Sequence, residues 1–404
     1  MKLSRRNALL LLGGVVVGAS TLALNKGLRY PPPQFIPDTA PTGSGGAGGA
    51  AFQSESIGAI FQQRDGNRFT FRAFVPEPEL TVRGPTEREW RIDVHNIHPK
   101  AVLVSRDTDL AEDINGLERT VTGSGKEARF RWRFPKKERY RFAAVGDTGG
   151  GVELRWALGR AHALGADFVL HLGDFAYSPG EYLGSVEAFD AAKIPTYVAI
   201  GNHDFYEGFN STVHMFRRYI GPRNASFELG GVLFINVDTA GGFIPAGAGA
   251  RGRFLRGLGR AAEVTDIVLY THKPMADPRD GKDHKVSDLE YDFLHREFVR
   301  LGVETLLAGH IHIKKDFDDQ GIRTIISGQG LAHADLIVDR PIAEILLGDV
   351  TPESGKVRYH WAPLNMPFAA HCSPRAWEVL VVIDKPGVLR QLKEICAGAG
   401  VRPE

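Results

Sequence analysis

The hydrophobic and polar positions follow two rhythms along the chain. Between about Phe52 and Lys137, short stretches such as "NRFTFRAFV", "REWRIDVHNI", "KAVLVSR" and "ARFRWRF" alternate apolar and polar residues and are broken by Pro, Gly and Asp clusters. Alternation with a period of two marks strands that bury one face, so this region is predicted to be all-β, a small sandwich. From about Tyr140 the runs become short and mainly apolar, at 142–145, 168–172, 196–200, 232–237, 266–270 and 304–308, with helical patterns between them. This rhythm predicts α/β layering. The segment "GVELRWALGRAHALG" sets Val152, Leu154, Ala157, Leu158, Ala161 and Leu164 largely on one helical face, which should pack on a sheet. Further strands, "RTIISG", "AEILLGDV" and "VRYHWAPL", are joined partly by hairpin-like turns, so the sheet is expected to be mixed and doubled into a layered sandwich.

The first residues break both rhythms. "MKLSRRNALLLLGGVVVGASTLALN" has a basic start and an apolar run from Ala8 to Leu24, the layout of an export signal. Ser4-Arg5-Arg6 directly before the run resembles a twin-arginine signal. The alternative is an anchor that stays in the membrane, since the run is only slightly shorter than the roughly 20 residues needed to span one. Cleavage candidates lie around Ala19 and Ala23, and the sequence does not choose between them. The expected order is export signal or anchor over 1–30, Pro/Gly-rich linker over 31–51, β-sandwich over 52–137, α/β domain over 138–366 and C-terminal extension over 367–404.

Composition narrows the function classes. With 49 Lys and Arg against 48 Asp and Glu the chain is nearly neutral, so no nucleic-acid partner is expected and anion binding must be local. The location expected from the first residues is periplasmic or extracellular, with membrane contact only through an uncleaved N-terminal segment. The only cysteines, Cys372 and Cys396, could form one disulfide in an exported protein or remain buried thiols.

Candidate chemistry follows the apolar runs. "AAVGDTGG", "HLGDFAY", "AIGNHDF", "IVLYTHKP" and "LLAGHIHIKK" each place a metal-capable residue at the end of such a run. Ligands in open α/β sheets sit beyond the carboxyl ends of strands, so these groups should converge. Asp147, Asp174, Asn202, His272, His310 and His312 mix carboxylate, amide and imidazole, which suits first-row transition ions better than copper(I), calcium or magnesium. The set exceeds the needs of one tetrahedral zinc, and two ions sharing a carboxylate is the simplest arrangement.

In this order the blocks "GDTG", "GDFAY", "GNHD", "LYTH" and "GHIH" resemble the calcineurin-like metallophosphoesterase superfamily, and within it the purple acid phosphatase branch. The resemblance covers about 140–365 and implies a four-layer αββα fold preceded by the small all-β domain. It implies a first ion on Asp147, Asp174, Tyr177 and His312 and a second on Asp174, Asn202, His272 and His310. Most of the superfamily has a histidine two residues after the first aspartate, where this chain has Gly149; Tyr177 stands where the purple branch supplies a phenolate. A phenol with a pKa near 10 ionises at neutrality only beside a strong Lewis acid, so Fe(III) plus a divalent ion (Fe, Zn or Mn) is expected.

The implied activity is hydrolysis of phosphate monoesters, small-molecule substrates, by in-line attack of a metal-bound hydroxide. His203 would serve the leaving group, and Asp204 would orient its imidazole. A phosphodiesterase acting on nucleotides or phospholipid head groups is the alternative with the same site, and a non-catalytic phosphate-binding or interaction module is a remoter one. His284 is a further candidate acid, His333 and Asp238 could border the cleft, His95 and His98 are expected to be structural or surface residues, and His162, inside a helix, needs no special account. The loops 205–230 and 241–260 would set substrate choice.

Overall fold

The computed structural model describes residues 53–84, 89–105, 110–205, 210–240, 249–332, 342–352, 355–367 and 386–398, with the single residues 370, 372 and 377. The signal-like segment, the linker and His333 lie outside the described residues. Among the described residues no helix is long and apolar enough to cross a membrane.

The alternating region forms strands β1 (Gln53–Ile57), β2 (Ala59–Asp65), β3 (Arg68–Ala73), β4 (Glu79–Arg83), β5 (Glu89–His95), β6 (Val102–Ser105), β7 (Ala111–Asn115), β8 (Glu118–Ser124) and β9 (Glu127–Arg133). They pair as β1-β4-β9-β6 and β2-β3-β5-β8-β7. In β9 exposed Arg129, Arg131 and Arg133 alternate with buried Ala128, Phe130 and Trp132. The buried set joins Phe69, Phe71, Trp90, Ile92 and Val94 in one core.

The apolar runs become β10 (Tyr140–Val145), β11 (Phe168–His171), β12 (Thr196–Val198), β13 (Ala225–Leu229), β14 (Val232–Asn236), β15 (Asp266–Tyr270), β16 (Thr305–Ala308), β17 (Lys314–Asp319), β18 (Ile322–Ser327), β19 (Glu344–Val350) and β20 (Arg358–Pro363). The helices are α1 (Val152–Ala163), α2 (Pro179–Asp190), α3 (Asn210–Tyr219), α4 (Gly249–Gly257), α5 (Asp288–Leu301) and α6 (Pro386–Gly398). Two sheets result, β12-β11-β10-β19-β20 and β13-β14-β15-β16-β18-β17. The strands β10, β11 and β12 run parallel, as do β14, β15, β16 and β18, while the hairpin-joined strands at the edges are antiparallel.

Side-chain alternation builds the layers. Phe142 and Ala144 of β10 face the second sheet, packing with Phe168, Phe234, Val268, Leu307 and Ile325. Ala143 and Val145 point the other way, onto Leu154, Leu158 and Ala161 of α1 and Phe189 of α2. On the far side, Ile267, Leu269 and Leu306 pack against Leu255 of α4 and Phe293, Leu294 and Phe298 of α5. The order is therefore helix, sheet, sheet, helix, as expected. The inter-sheet layer is rich in aromatics: the Phe142 and Phe168 rings stack at 5.6 Å, and Phe234 meets Phe168 edge-on at 5.7 Å. Burying each such ring stabilises the fold by about 1.5–3 kcal/mol.

The β-region grips the edge of the first sheet. Asn96, in a left-handed conformation (φ 68°), donates to the carbonyls of Ala73 and Thr196 and accepts from the Thr196 N–H, so its amide pairs the open edge of β12. Buried Arg72 adds an ion pair with Asp190 of α2. His98 sits at the same junction, packed on Phe134 with its Nε2 3.7 Å from Asp167, a structural place as expected. In the C-terminal part, Cys372 and Cys396 form a disulfide with their Cα atoms 5.7 Å apart, which settles the pairing that the sequence left open.

Candidate metal centre

Three of the candidate ligands leave their strands through the same sharp turn. Asp147 follows Val145-Gly146, Asp174 follows Leu172-Gly173 and His310 follows Ala308-Gly309, with φ of 62°, 56° and 66°. This left-handed conformation costs a residue with a Cβ roughly 1–2 kcal/mol, and it turns each side chain back across the strand ends. The glycines of the motifs are spacers. A Cβ on Gly201 would lie 2.1 Å from both the backbone nitrogen and Oδ1 of Asp174, and one on Gly309 would lie 2.7 Å from Asp147 Oδ2. Any larger residue would push the ligand loops apart.

One corner of the cluster is an assembly of lone pairs. The His272 Nδ1 proton is donated to the Leu172 carbonyl at 2.8 Å, so Nε2 of the neutral ring offers a lone pair. That nitrogen lies 2.8 Å from Asn202 Oδ1, 3.2 Å from His310 Nδ1 and 3.4 Å from Asp174 Oδ2. Asp174, His272 and His310 together present donor atoms all within 4.8 Å of one another. Burial pushes the His272 imidazole down to about 3 and that of His310 to about 2, the latter helped by the neighbouring His272. Both rings are therefore the neutral ligands that a metal requires.

The opposite corner holds the remaining candidates. His312 Nε2 lies 3.4 Å from the Tyr177 hydroxyl and 3.4 Å from Asp147 Oδ1. Tyr177 is fully buried, and burial first, then the carboxylates of Asp174 and Asp147, hold its phenol well above the ordinary value. Burial and the charges of Asp147 and Asp204 likewise push the Asp174 carboxyl well above its usual range. A multivalent cation reverses both pressures, since it attracts each anionic oxygen. The donor chemistry thus fits a metal centre: carboxylates, a phenol, an amide oxygen and neutral imidazoles at one edge of the double sheet.

Backbone donors orient the carboxylates. The His310 N–H donates to both oxygens of Asp147, at 3.0 and 2.8 Å, and the His203 N–H donates to Asp174 Oδ1 at 2.9 Å. The His203 ring lies 4.7 Å from that of Tyr177, half-exposed toward the centre, and burial lowers its proton affinity.

Asp204 requires a correction. It was expected to orient the His203 imidazole, but its oxygens accept the N–H groups of Asp174, Phe175, Ala176 and Gly201 at 2.7 to 3.1 Å. Burial pushes its carboxyl up to about 7 while those donors pull it back, and the four bonds are those of an ionised, acceptor-only group. Asp204 fixes the loop that presents Asp174 and Tyr177. It sits too deep in that loop to serve a reacting group.

The other sequence candidates fall as follows. His284 is exposed, with its ring 5.9 Å from that of His310, so it stands at the rim. Asp238 accepts from Arg223 at 3.1 Å and from the Ala240 N–H at 2.9 Å, which makes it a loop anchor. Of the loops expected to set substrate choice, 206–209 and 241–248 lie outside the described residues. Sequence reasoning missed His171. It is fully buried beneath the centre, its Nε2 2.9 Å from Thr148 Oγ1, and burial lowers it to about 4. Lying inside the apolar run 168–172, it looked like part of the strand. Glu181 was also missed: its Oε2 accepts the Tyr177 N–H at 2.7 Å, which steadies the phenol loop.

Comparison with known proteins finds one family. Residues 140–314 match the family described as calcineurin-like phosphoesterase. No curated protein matches. Among solved structures, the purple acid phosphatase PPD1 from seeds of yellow lupin (Lupinus luteus) is 13% identical with a TM-score of 0.44, covering 78% of this chain and 74% of that one. GAP50, the anchor in the inner membrane complex of Plasmodium, is 12% identical with a TM-score of 0.39, covering 61% and 94%. A dimetal phosphatase from Danio rerio is 12% identical with a TM-score of 0.37, covering 52% and 93%. This chain carries, over residues 140–314, a calcineurin-like phosphoesterase domain.

Proposed function

We propose that the protein is an exported binuclear phosphatase of the purple acid phosphatase type, hydrolysing phosphate monoesters. The observation that supports it most is the meeting of lone pairs around His272 Nε2, where Asn202, His310 and Asp174 turn acceptor atoms toward one point. In this reading Asp147, Asp174, Tyr177 and His312 hold one ion, Asn202, His272 and His310 hold the other with Asp174, and Asp174 is shared. When bound, the ions supply Lewis acidity toward phosphoryl oxygens and water.

The protein's own groups do the rest. Tyr177, buried among carboxylates, would release its proton to solvent only if a strongly Lewis-acidic ion held its oxygen, which favours Fe(III) at that corner beside a divalent Fe, Zn or Mn. His203, pinned through its backbone to Asp174 and packed on Tyr177, is the proton carrier nearest to where an alkoxide would leave. Asp204 holds the loop that keeps these groups in register. Export is supported by the Arg5-Arg6 pair before an apolar run and by the Cys372–Cys396 disulfide, a bond favoured in oxidising compartments.

The test is purification without chelators, followed by metal analysis, a visible spectrum and turnover of 4-nitrophenyl phosphate against bis(4-nitrophenyl) phosphate. The expected result is two metal ions per chain, a violet band that Tyr177→Phe removes, and faster turnover of the monoester. An active but colourless and iron-free protein overturns the ferric assignment. Faster turnover of the diester replaces the monoester reading with a phosphodiesterase. Retention in the cytoplasm of the wild-type protein overturns export.

A further inference from the structure

A pocket of about 390 Å³, lined in part by Thr239, Lys273, Asp283, Lys285, Ser287 and Glu290, adjoins the metal centre on its His272 and His310 side. Two of its wall segments are chain neighbours of residues at the centre or its rim. Lys273 directly follows His272, while Asp283 and Lys285 flank His284, whose ring lies 5.9 Å from that of His310. The backbone of Lys273 is fixed, because its N–H donates to Thr239 Oγ1 at 2.8 Å and the same hydroxyl donates to its carbonyl at 3.1 Å.

The charges around the pocket do not cancel evenly. Lys285 holds Asp288 at 2.6 Å and reaches Asp283 at 4.0 Å, and Glu290 is paired with Arg251 at 3.0 Å. Asp283 and Asp288 thus share Lys285 and Glu290 has Arg251, so with Lys273 the three acids and three cations balance in number but not in pairing. Lys273 is half-buried, and among the described residues its ammonium has neither a hydrogen bond nor an ion pair. Its charge is felt at His203, His272 and His310, where it disfavours the protonated rings. A partly desolvated ammonium without a partner gains most from an anion that arrives with the ligand.

We propose that this pocket receives the alcohol part of the ester and that Lys273 binds a second negative group there, so that the preferred substrates are phosphate esters whose alcohol carries its own anionic charge. The inference rests on the phosphoester-hydrolase reading above and names the substrate class of that site.

The experiment compares 4-carboxyphenyl phosphate with 4-carbamoylphenyl phosphate, esters of similar size that differ in the distal charge, in the wild type, Lys273→Gln and Lys273→Arg. Binding of the two corresponding phosphonates, which are not hydrolysed, is measured by calorimetry on the metal-loaded proteins. The wild type should favour the carboxylate member about 10-fold in KM and in Kd, the size of one charge-assisted hydrogen bond. Lys273→Gln should bring the ratio to about one, and Lys273→Arg should retain most of it. A third ester, 1,4-phenylene bisphosphate, shows whether phosphate gains more than carboxylate. The same ratio in the wild type and Lys273→Gln, for KM and Kd alike, overturns the subsite. If neither ester turns over but the phosphonate ratio behaves as expected, the hydrolase reading fails and the subsite stands. Turnover of both esters with no ratio has the reverse meaning.

Discussion

Both halves of the described chain pack one sheet on another, yet only the second gathers ligands. In the N-terminal sandwich most neighbours are antiparallel, so successive strand ends leave at opposite edges, and β9 shows every second residue to solvent. In the second sandwich β11, β14, β15 and β16 are buried on both faces, and the parallel strands all release their C-terminal loops at one edge. Parallel order therefore brings Asp147, Asp174, Asn202, His272 and His310 together although they are scattered through the sequence. The first sandwich uses the same packing forces to build a brace, which holds the edge of β12 through Asn96.

That contrast can be broken at several points. The largest effect should come from Asn202→Ala: phosphomonoester turnover should fall about 10³-fold, while the metal-free protein melts within a few degrees of the wild type. A collapse in melting temperature would mean that the ligand loops belong to the scaffold. Next, Phe168→Ala and Trp132→Ala should each cost about 3–5 kcal/mol in denaturant titrations, because both side chains are fully buried in their respective cores. Only the first should loosen metal binding; equal losses of metal would erase the functional difference between the sandwiches.

A smaller loss, about 1–3 kcal/mol, is expected for Asn96→Ala, which leaves the amide and carbonyl of Thr196 without partners. Calorimetry should then resolve two transitions where the wild type shows one, and a single unchanged transition would count against the brace. A further effect concerns pH. His171 has a folded pKa of about 4 against an ordinary 6.5, so the unfolded chain binds more protons between those values. Its contribution to stability is complete above pH 6.5 and is lost as pH falls toward 4. The melting temperature of the metal-free protein should decline across that window, less steeply in His171→Gln, and identical slopes would remove His171 from the account.

Much of the fold was legible because strand and helix periods are local properties. The runs at 142–145, 232–237 and 266–270 became β10, β14 and β15, and the apolar face read on "GVELRWALGRAHALG" packs under the first sheet as α1. The metal-capable residues were also visible, since each stands at the end of an apolar run. The role of Asp204 was not legible, because four backbone N–H groups from two loops claim its oxygens and no spacing announces that. His171 was hidden for the opposite reason: a residue that finishes a buried strand carries no local sign of what lies above it.

By itself, the sequence determined which segments are strands and helices and which side chains can bind a cation, because both depend on residue type and short-range order. Tertiary structure alone decided that His272 Nε2 faces Asn202, His310 and Asp174, that Cys372 meets Cys396, and that Lys273 borders a pocket without a partner among the described residues. Those are meetings between distant parts of the chain, and they are set by how two sheets stack and where their loops emerge.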